Sequence, residues 1–273
     1  MTTLTAPATE TLLYEERGHV AIITLKRPER LNAITGEMLE ALSAQLIACQ
    51  REPEIRVIVL TGAGRGFCAG LDLVDQQQRL QGSGESNIGA PGYSLFDLRD
   101  APPVVLQKMD KPVICALNGA AAGYGMDMAL LADIRVASDQ AKMGAVFAKR
   151  GVLPESGGTW ILPRLLGWAR AAEVAFRGRV LDAQESLDVG LVNEIVPHDE
   201  LMTRTLELAD EIAANAPLSV QATKRMMRLG MDEPFEAAVD HIYLQLLPLF
   251  QSDDFKEGVR SFMEKREPNF QGR

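Results

Sequence analysis

Hydrophobic positions along the chain follow two rhythms. The run Val20-Ala21-Ile22-Ile23-Thr24-Leu25 is apolar and β-branched and stops before Pro28. Leu12-Leu13-Tyr14-Glu15-Glu16 precedes it across Gly18-His19, so the pair predicts a hairpin. Thr35 then stands where an N-cap belongs, ahead of Met38, Leu39, Leu42, Leu46 and Ile47, which recur at helical spacing, with Pro53 beyond the end. Strands are expected over Arg56 to Thr61, Val113 to Leu117 and Ile134 to Ala137, with a helix from Gly125 to Ala132. Strand, turn and helix alternating in this way predict an α/β fold with right-handed crossovers.

The rhythm changes twice. Gln76 to Pro103 is rich in Gln, Gly, Ser and Pro and is too long for an ordinary connection, which predicts a mobile or functional loop. From about Asp199 the pattern is helical throughout: Leu201 to Ala214, Leu218 to Leu229, Phe235 to Leu247 and Phe255 to Arg266, broken by Pro217, Pro234 and Pro248. Residues 1–10 carry no such pattern and are expected to be disordered. The organisation that follows is a short start, a core over 11–198 and a helical region over 199–273.

Length and composition narrow the class. A chain of 273 residues with 47% hydrophobic content fits one large domain, or a domain with an appendage, and has ample core. Its net charge of −9 disfavours nucleic acid and anionic membrane as partners, because neutralising phosphates needs a clustered basic face. Local basic groups could still meet a phosphorylated small ligand. Cys49, Cys68 and Cys115 are odd in number and lack C-x-x-C spacing, so neither a disulfide framework nor a zinc site is expected, and a reducing cytoplasm fits best. The opening Met1-Thr2-Thr3-Leu4-Thr5-Ala6-Pro7 lacks a basic and an apolar leader region, and no run reaches the length that crosses a bilayer.

Candidate chemistry begins at two glycine junctions of one kind. Gly66-Phe67-Cys68-Ala69-Gly70-Leu71-Asp72 follows the apolar run Val57 to Leu60, and Asn118-Gly119-Ala120-Ala121-Ala122-Gly123-Tyr124-Gly125 follows Val113 to Leu117. Glycine lets the backbone bend tightly and leaves N–H groups free to aim at a developing negative charge, and two such donors make an oxyanion hole.

These junctions, with Gly151-Val152-Leu153-Pro154, Gly157-Gly158-Thr159, Lys111-Pro112 and Gly190-Leu191-Val192, form a set that resembles the crotonase (enoyl-CoA hydratase/isomerase) superfamily from about Leu13 to Phe270. The resemblance implies a spiral of ββα units carrying an acyl-CoA site over 11–198, and a C-terminal helical region over 199–273 that packs subunits into a homotrimer or homohexamer. It implies a CoA thioester as substrate and no other cofactor or metal. By motif position the oxyanion donors are the backbone N–H groups of Leu71 and Tyr124. The N-terminus of a helix opening at Gly125 would add to the field on the enolate oxygen. The substrate and its CoA would lie against Arg30-Leu31-Asn32-Ala33, Ala69-Gly70, Leu71-Asp72-Leu73, Gly123 and Phe147. Arg27 and Arg30 are placed for CoA phosphates, and Lys265-Arg266 for a neighbouring subunit's CoA.

Proton transfer departs from the hydratase pattern of two glutamates. The first maps to Asp127, set between Met126 and Met128, where a carboxylate is costly without a purpose; its structural explanation is a charge favoured by the helix dipole. The second maps to Phe147, which holds no proton. Glu155 occupies a position where isomerase-type and hydrolase-type relatives place an acidic residue, and is expected to be the principal base, with a first-turn helix charge as the competing explanation. Glu155 and Asp127 are expected to shuttle a proton between carbons of an unsaturated acyl-CoA while the oxyanion hole holds the dienolate, so double-bond isomerisation is favoured narrowly over hydration of a 2-enoyl-CoA. A catalytically silent acyl-CoA-binding protein is the alternative of another class. Gly62-Ala63-Gly64-Arg65-Gly66-Phe67 fails the dinucleotide fingerprint at Phe67, Ser156 lacks the nucleophile-elbow glycine, and His19, His198 and His241 have no metal spacing.

Overall fold

The computed structural model of the chain describes residues 9–75, 77 and 101–273. The first eight residues of the expected disordered start, and nearly all of the expected loop from Gln76 to Pro103, lie outside the described residues. Strands β1 (Leu12–Arg17) and β2 (Val20–Leu25) form the expected antiparallel hairpin, with Leu12 opposite Leu25. β2 continues through parallel pairings to β3 (Val57–Gly62), β5 (Val113–Leu117), β7 (Ile134–Ser138) and β10 (Glu194–Val196), which completes a six-stranded sheet ordered β1-β2-β3-β5-β7-β10.

Both faces of this sheet are buried. Val20, Ile22, Val57, Val59, Ile114 and Val136 share one apolar cluster, and Ala21, Ile23, Leu25, Ile58, Leu60 and Cys115 share the other. That is why the strands read as continuous apolar runs instead of alternating with polar residues. Helix α1 (Gly36–Arg51) covers the second cluster. Its Thr35 cap accepts a hydrogen bond from the Met38 amide at 3.3 Å, and Met38, Leu42 and Leu46 are fully buried, each contributing about 1.5–3 kcal/mol. At the other end, Lys111 donates to the Cys49 carbonyl at 2.7 Å and to the Glu52 carbonyl, and burial pulls its ammonium down to about 8.

A second, four-stranded sheet is a finding the sequence pattern did not show. It joins β4 (Gly66–Cys68), β6 (Ala120–Ala122), β8 (Lys142–Gly144) and β9 (Val180–Asp182) in that order. Strands of three residues are too short to display a period. The pairs β3 and β4, β5 and β6, and β7 and β8 each step from the first sheet to the second, as a ββα spiral requires. Helices α2 (Pro102–Lys108), α3 (Tyr124–Leu130), α4 (Gly158–Leu166), α5 (Trp168–Phe176) and α6 (Ala183–Val189) fill the connections.

The C-terminal helices divide. α7 (Leu201–Ala213) lies on the first sheet, burying Leu201, Ala209 and Ala213 against the Val20 cluster. α8 (Pro217–Gly230), α9 (Phe235–Gln251) and α10 (Asp253–Glu264) extend beyond it, and α9 has no buried residue. The expected break at Pro248 is corrected: α9 runs through it to Gln251. Proline there removes one amide bond, to the Leu244 carbonyl, on an exposed helix where water can serve that carbonyl. α8 is tied down at Asp110, which receives Arg225 and Arg228; these guanidiniums outweigh burial and hold its carboxyl below the ordinary range. Arg56 adds a second tie, donating to the carbonyls of Ala213 at 3.0 Å and Phe270 at 2.7 Å.

All three cysteines are free and buried, and burial pushes the thiols of Cys68 and Cys115 up to about 12. Among the described residues no helix is long and apolar enough to cross a membrane.

Candidate active site

The two glycine junctions meet because β4 and β6 pair parallel, Gly66 beside Ala120 and Cys68 beside Ala121. Two asparagines pin the approach. Asn118 accepts from the Gly62 amide at 3.2 Å and donates to the Gly64 and Gly66 carbonyls at 2.8 and 3.1 Å. Asn32 donates to the Ala63 and Gly66 carbonyls at 2.9 and 2.7 Å. Beyond the strands Gly70 and Gly123 adopt positive φ, 105° and 54°. The fit allows no side chain at Gly125, where a Cβ would stand 2.2 Å from the Cys68 carbonyl oxygen; a Cβ on Gly70 would stand 3.8 Å from the Tyr124 nitrogen.

The Leu71 and Tyr124 amides therefore lie close together. Neither donates to a backbone or side-chain acceptor among the described residues. For Tyr124 the reason is its place as the first residue of α3, and for Leu71 it is the local bridge. Gly70 accepts from the Ile34 amide at 2.8 Å and Asp72 donates to the Ile34 carbonyl at 2.9 Å, so the Leu71 N–H points the other way.

The segment carrying Arg30 and Ala33 is brought against Ala69, Gly70, Asp72 and Leu73 by the same ladder, to which the Ala69 amide adds a 2.9 Å bond to the Leu31 carbonyl. Leu31 and Asn32 hold positive φ, a strained state that this surrounding pairing maintains. Arg30, Ala69 and Leu73 are exposed. Arg27 is not free: it bonds Ala33 and forms a 3.0 Å ion pair with Asp72. Burial opposes the Asp72 carboxylate, but the Asp75 amide, Arg27 and the Val74 amide outweigh it and lower its pKa. Arg266 is likewise occupied, by Glu257 and Glu264.

Glu155, far from Asp127 in the chain, is brought near enough for its charge to act on the Asp127 carboxyl. Asp127 is 0% exposed, and burial, joined by the Glu155 charge, lifts its carboxyl to about 7. The Gly158 and Ser156 amides and the Ser156 hydroxyl oppose that rise from nearby, yet neither Asp127 oxygen reaches hydrogen-bond geometry. Gly158 stands so close that a Cβ on it would lie 2.2 Å from Asp127 Oδ1. Among the described residues, the buried side-chain atoms left without partners are Asp127 Oδ1 and Oδ2, Glu155 Oε2, Ser156 Oγ and Tyr124 Oη. Burial above all, with the Glu155 carboxylate adding to it, raises the Tyr124 phenol and keeps it protonated.

Native interiors leave few such groups, because each costs about 1–3 kcal/mol unpaired; here three belong to Asp127 and Glu155 themselves and two to the hydroxyls of Ser156 and Tyr124, which makes this cluster the candidate site. The hydroxyls of Tyr124 and Ser156 were not anticipated, since a tyrosine or serine beside glycine reads as ordinary turn chemistry.

Phe147 sits against Gly123 and lines an apolar cavity of about 340 Å³ with Gly158, Leu162, Trp168 and Phe176. The cavity wall at Gly158 is thus also the wall behind Asp127. Among the described residues no group of His, Cys, Asp and Glu could hold a metal ion. His19, His198 and His241 instead bond Glu54, Ser138 and Glu233.

Comparison with known proteins gives the family. A family model described as enoyl-CoA hydratase/isomerase matches residues 15–273. The chain is 38% identical over 266 residues to a 1,2-epoxyphenylacetyl-CoA isomerase of Escherichia coli, covering 96% of this chain and 98% of the relative. It is 38% identical over 262 residues to the enoyl-CoA hydratase EchA19 of Mycobacterium tuberculosis, covering 96% of each. The crystal structure of an enoyl-CoA hydratase from Bacillus anthracis superposes with a TM-score of 0.87 at 30% identity, covering 97% of this chain and all of that one. The chain is an enzyme of the enoyl-CoA hydratase/isomerase family, within the crotonase superfamily.

Proposed function

We propose that this enzyme moves a double bond within an unsaturated acyl-CoA. The Leu71 and Tyr124 amides hold the thioester oxygen as it becomes anionic, while Glu155 takes a proton from one carbon and returns it to another. Removing one oxyanion donor of this kind typically costs about 2.7–4 kcal/mol in the transition state, so the two amides lower the barrier more than any other group in the site. Proton transfer by a positioned carboxyl adds roughly 10²- to 10⁴-fold. The reading is supported by one observation: the two amides, from separate junctions, have no acceptor among the described residues, and Asp127 Oδ1 and Oδ2 and Glu155 Oε2 are buried without partners. No cofactor is needed beyond the CoA of the substrate, whose phosphates would meet the exposed Arg30.

Hydration of a 2-enoyl-CoA is the second reading, favoured by the relative named a hydratase at the same identity as the one named an isomerase. Assaying Glu155→Gln and Asp127→Asn on 2-enoyl-CoA and 3-enoyl-CoA separates the two, and unchanged turnover by both variants removes these residues from the mechanism. Exchange of the thioester α-proton with solvent distinguishes either reaction from a silent binding protein, which shows none above background.

The working form is a homotrimer or homohexamer in this proposal. Phe235, Tyr243 and Leu244 leave a large apolar surface exposed on α9, which a second copy would cover. Light scattering that reports a monomer refutes it. Three buried free thiols fit a reducing cytoplasm.

A further inference from the structure

Three of the four oxygens of the carboxyl pair are sealed from any water-sized contact: both of Asp127, and Oε2 of Glu155. Glu155 as a residue is only half-buried, and its Oε1 is the one oxygen of the pair that is not among the sealed, unpartnered atoms. Asp127 is closed in by the Gly158 backbone, which leaves no space for a methyl group, and by the α3 helix on which it sits. A side chain walled in this way cannot touch a reacting carbon, so any part it has in the reaction passes through Glu155.

We infer that Asp127 is a positioning residue that holds one proton shared with Glu155, so that the pair works between a singly negative and a neutral state. Asp127, fully buried, cannot ionise cheaply under the negative charge of Glu155, and one retained proton removes the repulsion. With that proton on the Asp127 side, Glu155 remains ionised as the base. It takes the substrate proton at Oε1 while the electron pair of the broken C–H bond passes to the thioester oxygen. The same proton then leaves Oε1 for the other carbon, and the pair returns to its single charge. No co-reactant enters the cycle.

The surroundings support one retained proton. Burial lifts the Asp127 carboxyl to about 7, and the leading influences on it include no cation. From the elements packed on α3, β4 brings only the Cys68 thiol, β6 brings no titratable group, α2 brings Lys108, and α4 brings Arg164, which is held by Asp232 and stacked on Trp160. Tyr124 on α3 itself stays protonated and can only donate or accept a hydrogen bond.

This inference rests on Glu155 being the base, and the experiment separates the two. With 3-hexenoyl-CoA as the probe, Glu155→Gln should lose at least 100-fold in kcat/KM at every pH. The wild type should show a bell-shaped kcat/KM profile whose alkaline limb lies near neutrality, where the pair becomes doubly negative. Asp127→Asn should keep turnover within about tenfold at its optimum and lose that alkaline limb, having no second proton to give up. An alkaline limb unchanged in Asp127→Asn overturns the shared proton and leaves Glu155 as base. Full turnover by Glu155→Gln overturns both. Should Asp127→Asn fold poorly, infrared spectroscopy decides: a protonated-carboxyl band that titrates near neutral pH should appear in the wild type and in Glu155→Gln, and its absence from the wild type refutes the proposal.

Discussion

Replacing Asp127 by asparagine changes how stability depends on pH, and the size of the change follows from burial. Raising a carboxyl from its usual 3.8 to about 7 costs the ionised form about 4 kcal/mol, at about 1.4 kcal/mol per tenfold change in proton affinity. The folded state binds the extra proton more tightly than the unfolded chain. This group therefore favours folding fully below about pH 4, loses that advantage as pH rises toward 7, and leaves a constant cost above it. Asparagine carries no such titration. Relative to the wild type, Asp127→Asn should gain about 3 kcal/mol of stability between roughly pH 5 and pH 8. Urea midpoints across that range, at one protein concentration because assembly shifts apparent stability, make the measurement. A difference between the two proteins that stays constant with pH refutes the reasoning, whatever its absolute value.

The remaining expectations concern the scaffold. Gly125→Ala must push α3 away from the Cys68 carbonyl; α-proton exchange should fall more than tenfold with circular dichroism nearly unchanged, and exchange at the wild-type rate argues against paired amides. Asn118→Ala orphans the Gly62 amide and the Gly64 carbonyl, a loss of about 3 kcal/mol that should lower the thermal midpoint by roughly 5–10 °C. Asp110→Ala cuts the tie to Arg225 and Arg228, groups exposed enough that about 1 kcal/mol is expected. Hydrogen exchange over residues 217–230 should quicken about fivefold while β5 stays protected, and uniform protection would show that the tie is idle.

How much of this was legible depends on the length over which a physical signal accumulates. The hairpin, α1 with its Thr35 cap, β3, β5 and β7 all span enough residues for burial to leave a period, and Gly119 and Gly125 of the second junction mark places where no Cβ fits. β4, β6, β8 and β9 are three residues each and left none. Pro248 misled because its effect depends on exposure, which the sequence does not state. At the site, residue type alone shows that a carboxylate between Met126 and Met128 needs a purpose. That both Asp127 oxygens are sealed, with Gly158 of another element closing over one of them, depends on tertiary packing that the sequence does not state. Likewise the tyrosine hydroxyl beside the pair depends on where α3 aims it.

The burial of every thiol gives the molecule built-in reporters. Alkylating reagents attack thiolates, and groups that are both enclosed and raised to about 12 at Cys68 and Cys115 present almost none at neutral pH. Each can be labelled only when its surroundings open, so labelling rates at Cys68 time the breathing of the junction and those at Cys115 time the breathing of the central strands. A bound thioester that spans the two junctions should slow the first clock and leave the second running.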